Sequence, residues 1–230
     1  MKRLAQITMC SLLCLGSLAI ALSSIVYFIP GERAPFLIEK LPLPAENLYL
    51  WTLRLHVIAA ALSLPGCLIG SSKTILQRWP KFHRWCGRAV GGIALMVLVP
   101  SGFYLSFFAR GGLGGTLGFQ LSGAIVTAAM VLAIRDARAK RFGSHRRWAY
   151  HVLGQLSVAV TSRAMLHILE SSNMHPDKAY LISLWVPVLA TFLLVERIAS
   201  PAKLKAFPRS LYEHMVAYAG PSRRDSPSIR

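Results

Sequence analysis

The sequence predicts an all-α, polytopic transmembrane helical bundle of about six spans, with a central four-helix core and two flanking helices. Hydrophobic residues make up 54% of the 230 residues, only 15% are charged, and the mean hydropathy is +0.47. A soluble domain averages roughly a quarter charged residues, so this composition indicates a membrane protein. The hydrophobic residues also gather into six runs, with basic residues between them.

Each run is close to the roughly 20 residues that an α-helix needs to cross the hydrocarbon core of a bilayer. The runs are Leu4–Ile29, Tyr49–Ser71, Ala89–Phe108, Leu117–Ile134, Ala149–Leu169 and Ala179–Val195. We expect a transmembrane domain over residues 1–199 and a basic cytoplasmic tail over residues 200–230. The first run could instead be a secretory signal peptide, because two basic residues precede it. Its length of 26 residues exceeds the usual signal core and favours a retained helix.

The positions of lysine and arginine predict the orientation of the bundle. The N-terminal tip carries 2 of them, residues 73–88 carry 5, residues 135–147 carry 6, and residues 197–230 carry 7, against 4 in the intervening connections. Basic residues accumulate on the cytoplasmic side of a membrane. The bias therefore predicts a multi-pass protein of the bacterial cytoplasmic (inner) membrane with both termini in the cytoplasm. Topology explains the net charge of +17, so we expect no nucleic-acid partner.

The inner basic connections would lie beside the lipid headgroups, where their charge favours anionic lipid as a partner. The sequence holds neither a CxxC pair nor an HExxH motif, phosphate-binding glycine loop or serine nucleophile elbow. Zinc, hydrolytic and transferase chemistry are therefore not expected. A redox role is the activity that the sequence leaves open.

Two basic connections end in similar motifs, Phe82-His83-Arg84-Trp85 and Ser144-His145-Arg146-Arg147-Trp148. The two histidines are 62 residues apart, and an apolar run follows each motif. A duplicated two-helix unit would explain the likeness. Independent selection for anchors at the membrane surface would explain it as well.

Four ionisable residues fall inside the predicted spans, namely Arg54, His56, Arg163 and His167. A charged side chain at a helix centre costs roughly 2.5–3.5 kcal/mol on insertion scales, so each of the four suggests a functional role. The predicted orientation places all four in the outer half of the bilayer. Arg163 and His167 are four residues apart and share one helical face.

One interpretation is a b-type haem with two axial histidines. His56 and His167 would ligate the iron from facing helices, and Arg54 and Arg163 would pair with the haem propionates. The protein would then carry electrons, and a quinone or another membrane redox component would be its partner. A quinone or an anionic amphiphile could also occupy the same pocket. The alternative is a non-redox membrane protein that binds a lipid or small amphiphile, or that supports a larger membrane assembly.

A second haem could lie near the inner surface, between His83 and either His145 or His151. His145 and His167 are 22 residues apart, which is about 33 Å along a helix and more than two haems in one bilayer need. His83 and His145 are also suited to anchoring helix ends at the headgroups.

The order His56, His83-Arg84-x-x-Gly87-Arg88, His145-Arg146-Arg147-Trp148 and Val160-Thr161-x-Arg163 resembles a family of predicted bacterial membrane proteins of unknown function, DUF2306. The resemblance covers about residues 50–170. It implies a four-helix membrane core with flanking helices and implies no activity. The arrangement of helices also resembles that of four-helix b-type cytochromes and transmembrane ferric reductases, although a shared architecture does not fix a function.

Overall fold

The computed structural model describes residues 2–29, 35–38, 40, 43 and 45–199, so the predicted cytoplasmic tail lies outside the described residues. Within them the chain is helical and contains no strand. The helices are α1 (Lys2–Ser23), α2 (Pro35–Ile38), α3 (Glu46–Gly70), α4 (Lys73–Arg78), α5 (Pro80–Ile93), α6 (Val99–Ser106), α7 (Gly112–Arg138), α8 (Phe142–Ser171) and α9 (Pro176–Ile198). A 3-10 segment (Ser24–Phe28) extends α1, and a π-helical segment (Ala94–Leu98) joins α5 to α6.

Six helices are long and apolar enough to cross a membrane, which confirms the predicted all-α bundle of six spans. They are α1 with its 3-10 extension, α3, the continuous helix Pro80–Ser106, α7, α8 and α9. Large apolar side chains on the outer surface stay exposed, including Leu12, Leu15 and Leu193. Because such side chains are stable in a hydrocarbon environment, these faces contact the lipid bilayer.

The helices extend beyond the apolar runs from which they were predicted. The run Ala149–Leu169, for example, lies inside α8, which begins at Phe142 and ends at Ser171. Long basic side chains at helix ends can reach the membrane surface while the backbone continues as a helix. His83 and His145 therefore lie in the first turns of α5 and α8, and not in the loops before them.

The α3–α5 and α7–α8 connections lie at one end of the bundle, which we call the basic end. Alternating helix directions place the C-terminus of α9 there as well. The starts of α5 and α8 approach each other at this end, because His83 and His145 interact electrostatically.

Helix α8 lies at the centre of the bundle and packs against α1, α3, α7 and α9. The apolar core lies between α3, α5, α7 and α8, where Ala59, Val90, Ala129 and Val152 are buried. The approach of α3 to α5 is close at Gly66, since a Cβ atom there would lie 2.5 Å from Val90 Cγ2. The polar residues of the bundle interior are arranged around this core.

The π-helical segment comes just before Ser101, which contacts a histidine of another helix. The Val99 N–H donates to Ala94 O, and Pro100 follows without an N–H of its own. Such π-helical turns occur frequently at functional sites because they rotate the residues that follow them. The next residue, Ser101, faces His56 on α3.

Candidate ligand site around His56 and Arg163

His56 is held in one orientation by Ser101. The Ser101 hydroxyl donates to Val97 O at 2.6 Å, and its oxygen lies 3.0 Å from His56 Nδ1. Because that hydroxyl proton is already used, Ser101 accepts a hydrogen bond from His56 Nδ1–H. The Nε2 atom then carries the lone pair of the neutral imidazole, and the Leu98 carbonyl also lies within hydrogen-bonding range of the ring.

Gly102 allows the imidazole to approach α6. A Cβ atom at this position would lie 3.2 Å from His56 Cε1 and 3.6 Å from Nδ1. The first of these distances is shorter than ordinary van der Waals contact. A side chain at position 102 would therefore press on the ring, and the ring orientation depends on the glycine.

Arg163 lies near His56 and has no carboxylate partner within the described part of the chain. Its Nη1 donates to Ala159 O at 2.9 Å on its own helix, and the side chain remains exposed. Its charge interacts electrostatically with His56 on α3, with Tyr27 beyond α1 and with Tyr180 on α9. The Arg163 side chain is thus exposed on the surface of the helix bundle, its guanidinium is partly shielded by its surroundings, and it lies close to polar groups of three other elements.

Two tyrosines, Tyr27 and Tyr180, interact electrostatically with Arg163, and two more lie beside them. Tyr49 on α3 interacts electrostatically with Tyr27, Tyr104 and Tyr180, which lie on three other elements. Tyr49 itself is buried, and the other three are partly buried. We call these tyrosines, together with His56 and Arg163, the Arg163 cluster. It offers a cation, phenolic hydroxyls and one imidazole lone pair away from the basic end.

Arg54 holds α3 against the extension of α1. Its Nε donates to Tyr27 O at 2.7 Å, and its guanidinium carbon lies 5.2 Å from the centre of the Trp51 ring. These contacts place Arg54 at the edge of the Arg163 cluster, next to Tyr27. Its predicted role as a propionate partner stays a prediction.

His167 lies one turn beyond Arg163 on α8 and is exposed. Its carbonyl accepts a hydrogen bond from Ser171 Oγ, whereas its ring has no hydrogen bond among the described residues. The structure thus brings His56 and Arg163 together and records no contact between His56 and His167. The pairing of the two histidines on one haem stays a prediction.

The inner histidines have different surroundings. His145 Nδ1–H donates to Ala133 O at 2.9 Å, which ties α8 to α7. His151 is 1% exposed, and its Nε2–H donates to Glu196 Oε1 at 2.9 Å. The buried Nδ1 atoms of His83 and His151 have no hydrogen-bond partner in the described structure. His83 and His145 are neighbours, and His151 faces α9.

Sequence reasoning missed two acidic residues at the basic end. Asp136 on α7 is 1% exposed and accepts hydrogen bonds from Arg135, Arg141 and Ser144. Glu196 on α9 accepts from His151 and from Arg147, the latter at 2.5 Å. One signal in the sequence could have identified Asp136: it is the only acidic residue between Glu46 and Glu170, and it lies among basic residues.

Six apolar helices with ionisable side chains inside the bundle define a polytopic α-helical membrane protein. A model of the family described as "Predicted membrane protein (DUF2306)" matches residues 53–198, and the chain belongs to this family. The match confirms the resemblance and extends it to the end of α9. It includes His56, Arg163 and all of the inner histidines. No curated protein and no solved structure matches the chain.

Proposed function

We propose that this membrane protein binds an amphiphile with an acidic head group in the Arg163 cluster. The proposal rests on one observation: Arg163 is accessible, lies among polar groups of three other elements, and has no carboxylate partner within the described residues. A cation inside a membrane protein is stable when it is paired. An anionic head group entering from the bilayer would supply the missing partner.

The other members of the cluster suit the same ligand. Phenolic hydroxyls donate hydrogen bonds to carboxylate or carbonyl oxygens, and His56 Nε2 accepts one from a protonated group. The guanidinium binds a carboxylate through two parallel hydrogen bonds. The apolar tail of the ligand would remain in contact with lipid or with the apolar faces of α1 and α3. A quinone would use the phenols and His56 but would gain less from Arg163.

Haem b is a second candidate ligand for the same site, and the orientation of the His56 imidazole favours it. A metal-ligating histidine usually donates its other ring N–H to a fixed acceptor, as His56 does to Ser101. His167 would be the second axial ligand, and Arg163 and Arg54 would hold the propionates. Bound haem would supply one-electron transfer. The chain's own residues would fix the imidazole and neutralise the carboxylates.

The experiment compares an acidic ligand with its neutral analogue. Purified protein in detergent is titrated with palmitate and with methyl palmitate while its thermal midpoint is followed. We expect palmitate to bind more tightly, because a charge-assisted hydrogen bond is worth about 1.5–3 kcal/mol, or roughly ten- to a hundredfold in affinity. Arg163→Gln should abolish the preference. The control Arg138→Gln changes an exposed arginine at the basic end and should retain it.

Equal binding of the acid and the ester by the wild-type protein would exclude an acidic ligand. Haem is tested separately by the absorption spectrum after supplementation with haem. A Soret band lost in both His56→Ala and His167→Ala supports the two-histidine site. A spectrum without the band rejects it, and two haems per chain would indicate a second site between His83 and His145.

A further inference from the structure

A groove lies at the basic end, at the junction of α4 and α5. Its volume is about 570 Å³, and its walls are formed by Arg78, Trp79, Pro80, Lys81 and Phe82. Along the chain, the residues of the groove come after the end of α3 and at the start of the continuous helix Pro80–Ser106, which is long and apolar enough to cross a membrane. Because a membrane-spanning helix begins here, we expect the groove to lie at the level of the lipid headgroups.

The two cations that line the groove, Arg78 and Lys81, form no ion pair with a described residue. The sequence contains no aspartate or glutamate between Glu46 and Asp136. Two exposed basic residues, Arg78 and Lys81, line the groove, and the exposed Lys73 and Arg88 lie on the same two helices, α4 and α5. None of these four forms an ion pair with a described residue.

The second basic connection is different, although it carries a similar number of cations. Arg135 and Arg141 bind Asp136, and Arg147 binds Glu196. If the cations served only to orient the protein in the membrane, ion pairs with acidic residues would be tolerated at both connections. The uncompensated charge is instead concentrated where the groove lies.

Exposed aromatic rings accompany this charge. Trp79 is 62% exposed, Trp85 is 66% exposed, and Phe82 is 42% exposed. The rings of Phe82 and Trp85 stack with their centres 6.4 Å apart. Tryptophan is stable at the boundary between headgroups and acyl chains, where its ring contacts both. These rings favour a ligand that is part of the membrane over an anion dissolved in water.

We propose that this groove binds the headgroup phosphate of an anionic phospholipid. Arg78 and Lys81 pair with the phosphate, and the exposed rings pack against the glycerol and the first acyl carbons. The groove is open at the surface of the protein, and its walls come from five consecutive residues. The proposal is independent of any ligand in the Arg163 cluster, which lies away from the basic end.

The test uses the full-length protein in detergent and native mass spectrometry. Phosphatidylglycerol, phosphatidylcholine and inorganic phosphate are added in separate titrations. We expect phosphatidylglycerol to be retained in preference to phosphatidylcholine. The double substitution Arg78→Gln/Lys81→Gln should lower this retention at least about tenfold, since each cation adds to the attraction of an anionic lipid. The single substitutions Arg78→Gln and Lys81→Gln are compared with Arg138→Gln, which also removes one exposed charge at the same end and should lower retention less than either of them.

Three results would overturn the proposal. Equal retention of the two lipids would show that the headgroup charge is not recognised. An equal loss in Arg138→Gln would assign the effect to the net charge of the whole end. Competition by inorganic phosphate at the concentration of the lipid would identify a soluble anion as the ligand. The thermal midpoints of all variants are measured in parallel. If the double variant does not fold, Trp79→Ala replaces it in the test; this variant keeps both cations and should also lower the retention of phosphatidylglycerol.

Discussion

His151 on α8, which is buried, donates a hydrogen bond to the partly buried Glu196 on α9, with 2.9 Å between Nε2 and Oε1. The imidazole lies between the rings of Trp148 and Phe192, whose centres are 5.6 Å and 5.0 Å away. Glu196 also accepts a hydrogen bond from Arg147. One carboxylate thus binds two cationic or polar groups that are one turn apart on α8.

The same face of α8 continues with Gln155, one turn further from the basic end. Its amide nitrogen donates to Val188 O and Thr191 Oγ1 on α9, and its oxygen accepts from Ser122 on α7. Polar contacts therefore fix the first half of α8 to both neighbouring helices. Arg163 and His167, in the second half, have no such ties among the described residues. This difference is why we assign the first half to structure and the second half to ligand binding.

Replacing Glu196 with glutamine should destabilise the protein by about 1–2 kcal/mol, because Arg147 would lose its carboxylate in a partly buried position. The side chains of Arg147 and Glu196 are 25% and 31% exposed, and water would offset part of the loss. The thermal midpoint in detergent measures the change. The control is Asp177→Asn, which breaks an ion pair with Arg110. The side chains of Asp177 and Arg110 are 55% and 42% exposed, so this pair should contribute less than about 0.5 kcal/mol to stability. Equal losses in the two variants would refute the structural role.

Replacing Asp136 with asparagine should lower stability by about 1–3 kcal/mol, since a buried carboxylate that accepts hydrogen bonds from three side chains becomes a neutral amide. Arg135 and Arg141 are more than half exposed and would stay hydrated, which limits the loss. Thermal unfolding measures it, with Arg138→Ala as a neighbour that has no ion pair in the described structure. An Asp136→Asn protein as stable as the wild type would show that the turn between α7 and α8 does not depend on the charge.

The predicted orientation can be tested with single cysteines at exposed positions. In a chain whose native cysteines are replaced by alanine, Lys178→Cys should react in intact cells with a thiol reagent that cannot cross the membrane. Arg138→Cys should react only after the cells are permeabilised, because the basic end is predicted to be cytoplasmic. The reverse labelling would place the basic end outside and would contradict the charge rule for this chain.

The six helices could be predicted because a span requires a long apolar run, and such runs are visible in the sequence. Their ends could not. The second turn of α8 includes Arg146, Arg147 and Trp148, which interrupt the apolar pattern without ending the helix. Glu196 was expected outside the last span for the same reason, although it lies within α9 and reaches a buried histidine.

The candidate site could be predicted in part. Ionisable residues inside spans are rare, so His56 and Arg163 were identified from composition alone, and the structure places them in electrostatic contact. Ser101 and the four tyrosines were not identified. Uncharged polar residues are common in membrane helices, and their convergence depends on how distant helices pack. The rotation of α6 after the π-helical segment is likewise absent from any local pattern.

Substituting Gly102 with alanine tests whether the orientation of His56 matters for ligand binding. The new Cβ atom would lie 3.2 Å from His56 Cε1, so the imidazole must shift by a few tenths of an ångström, which would disturb its hydrogen bond with Ser101. We expect the affinity for palmitate or haem to fall by about tenfold, which corresponds to the roughly 1–1.5 kcal/mol of one hydrogen bond. Gly92→Ala is the matched control, because a Cβ atom there meets nothing within 4 Å. The control should gain about 0.5–1 kcal/mol of helix stability and keep its affinity. If Gly102→Ala also kept its affinity, the hydrogen bond between His56 and Ser101 would not be part of the binding site, and Arg163 and the tyrosines alone would define it.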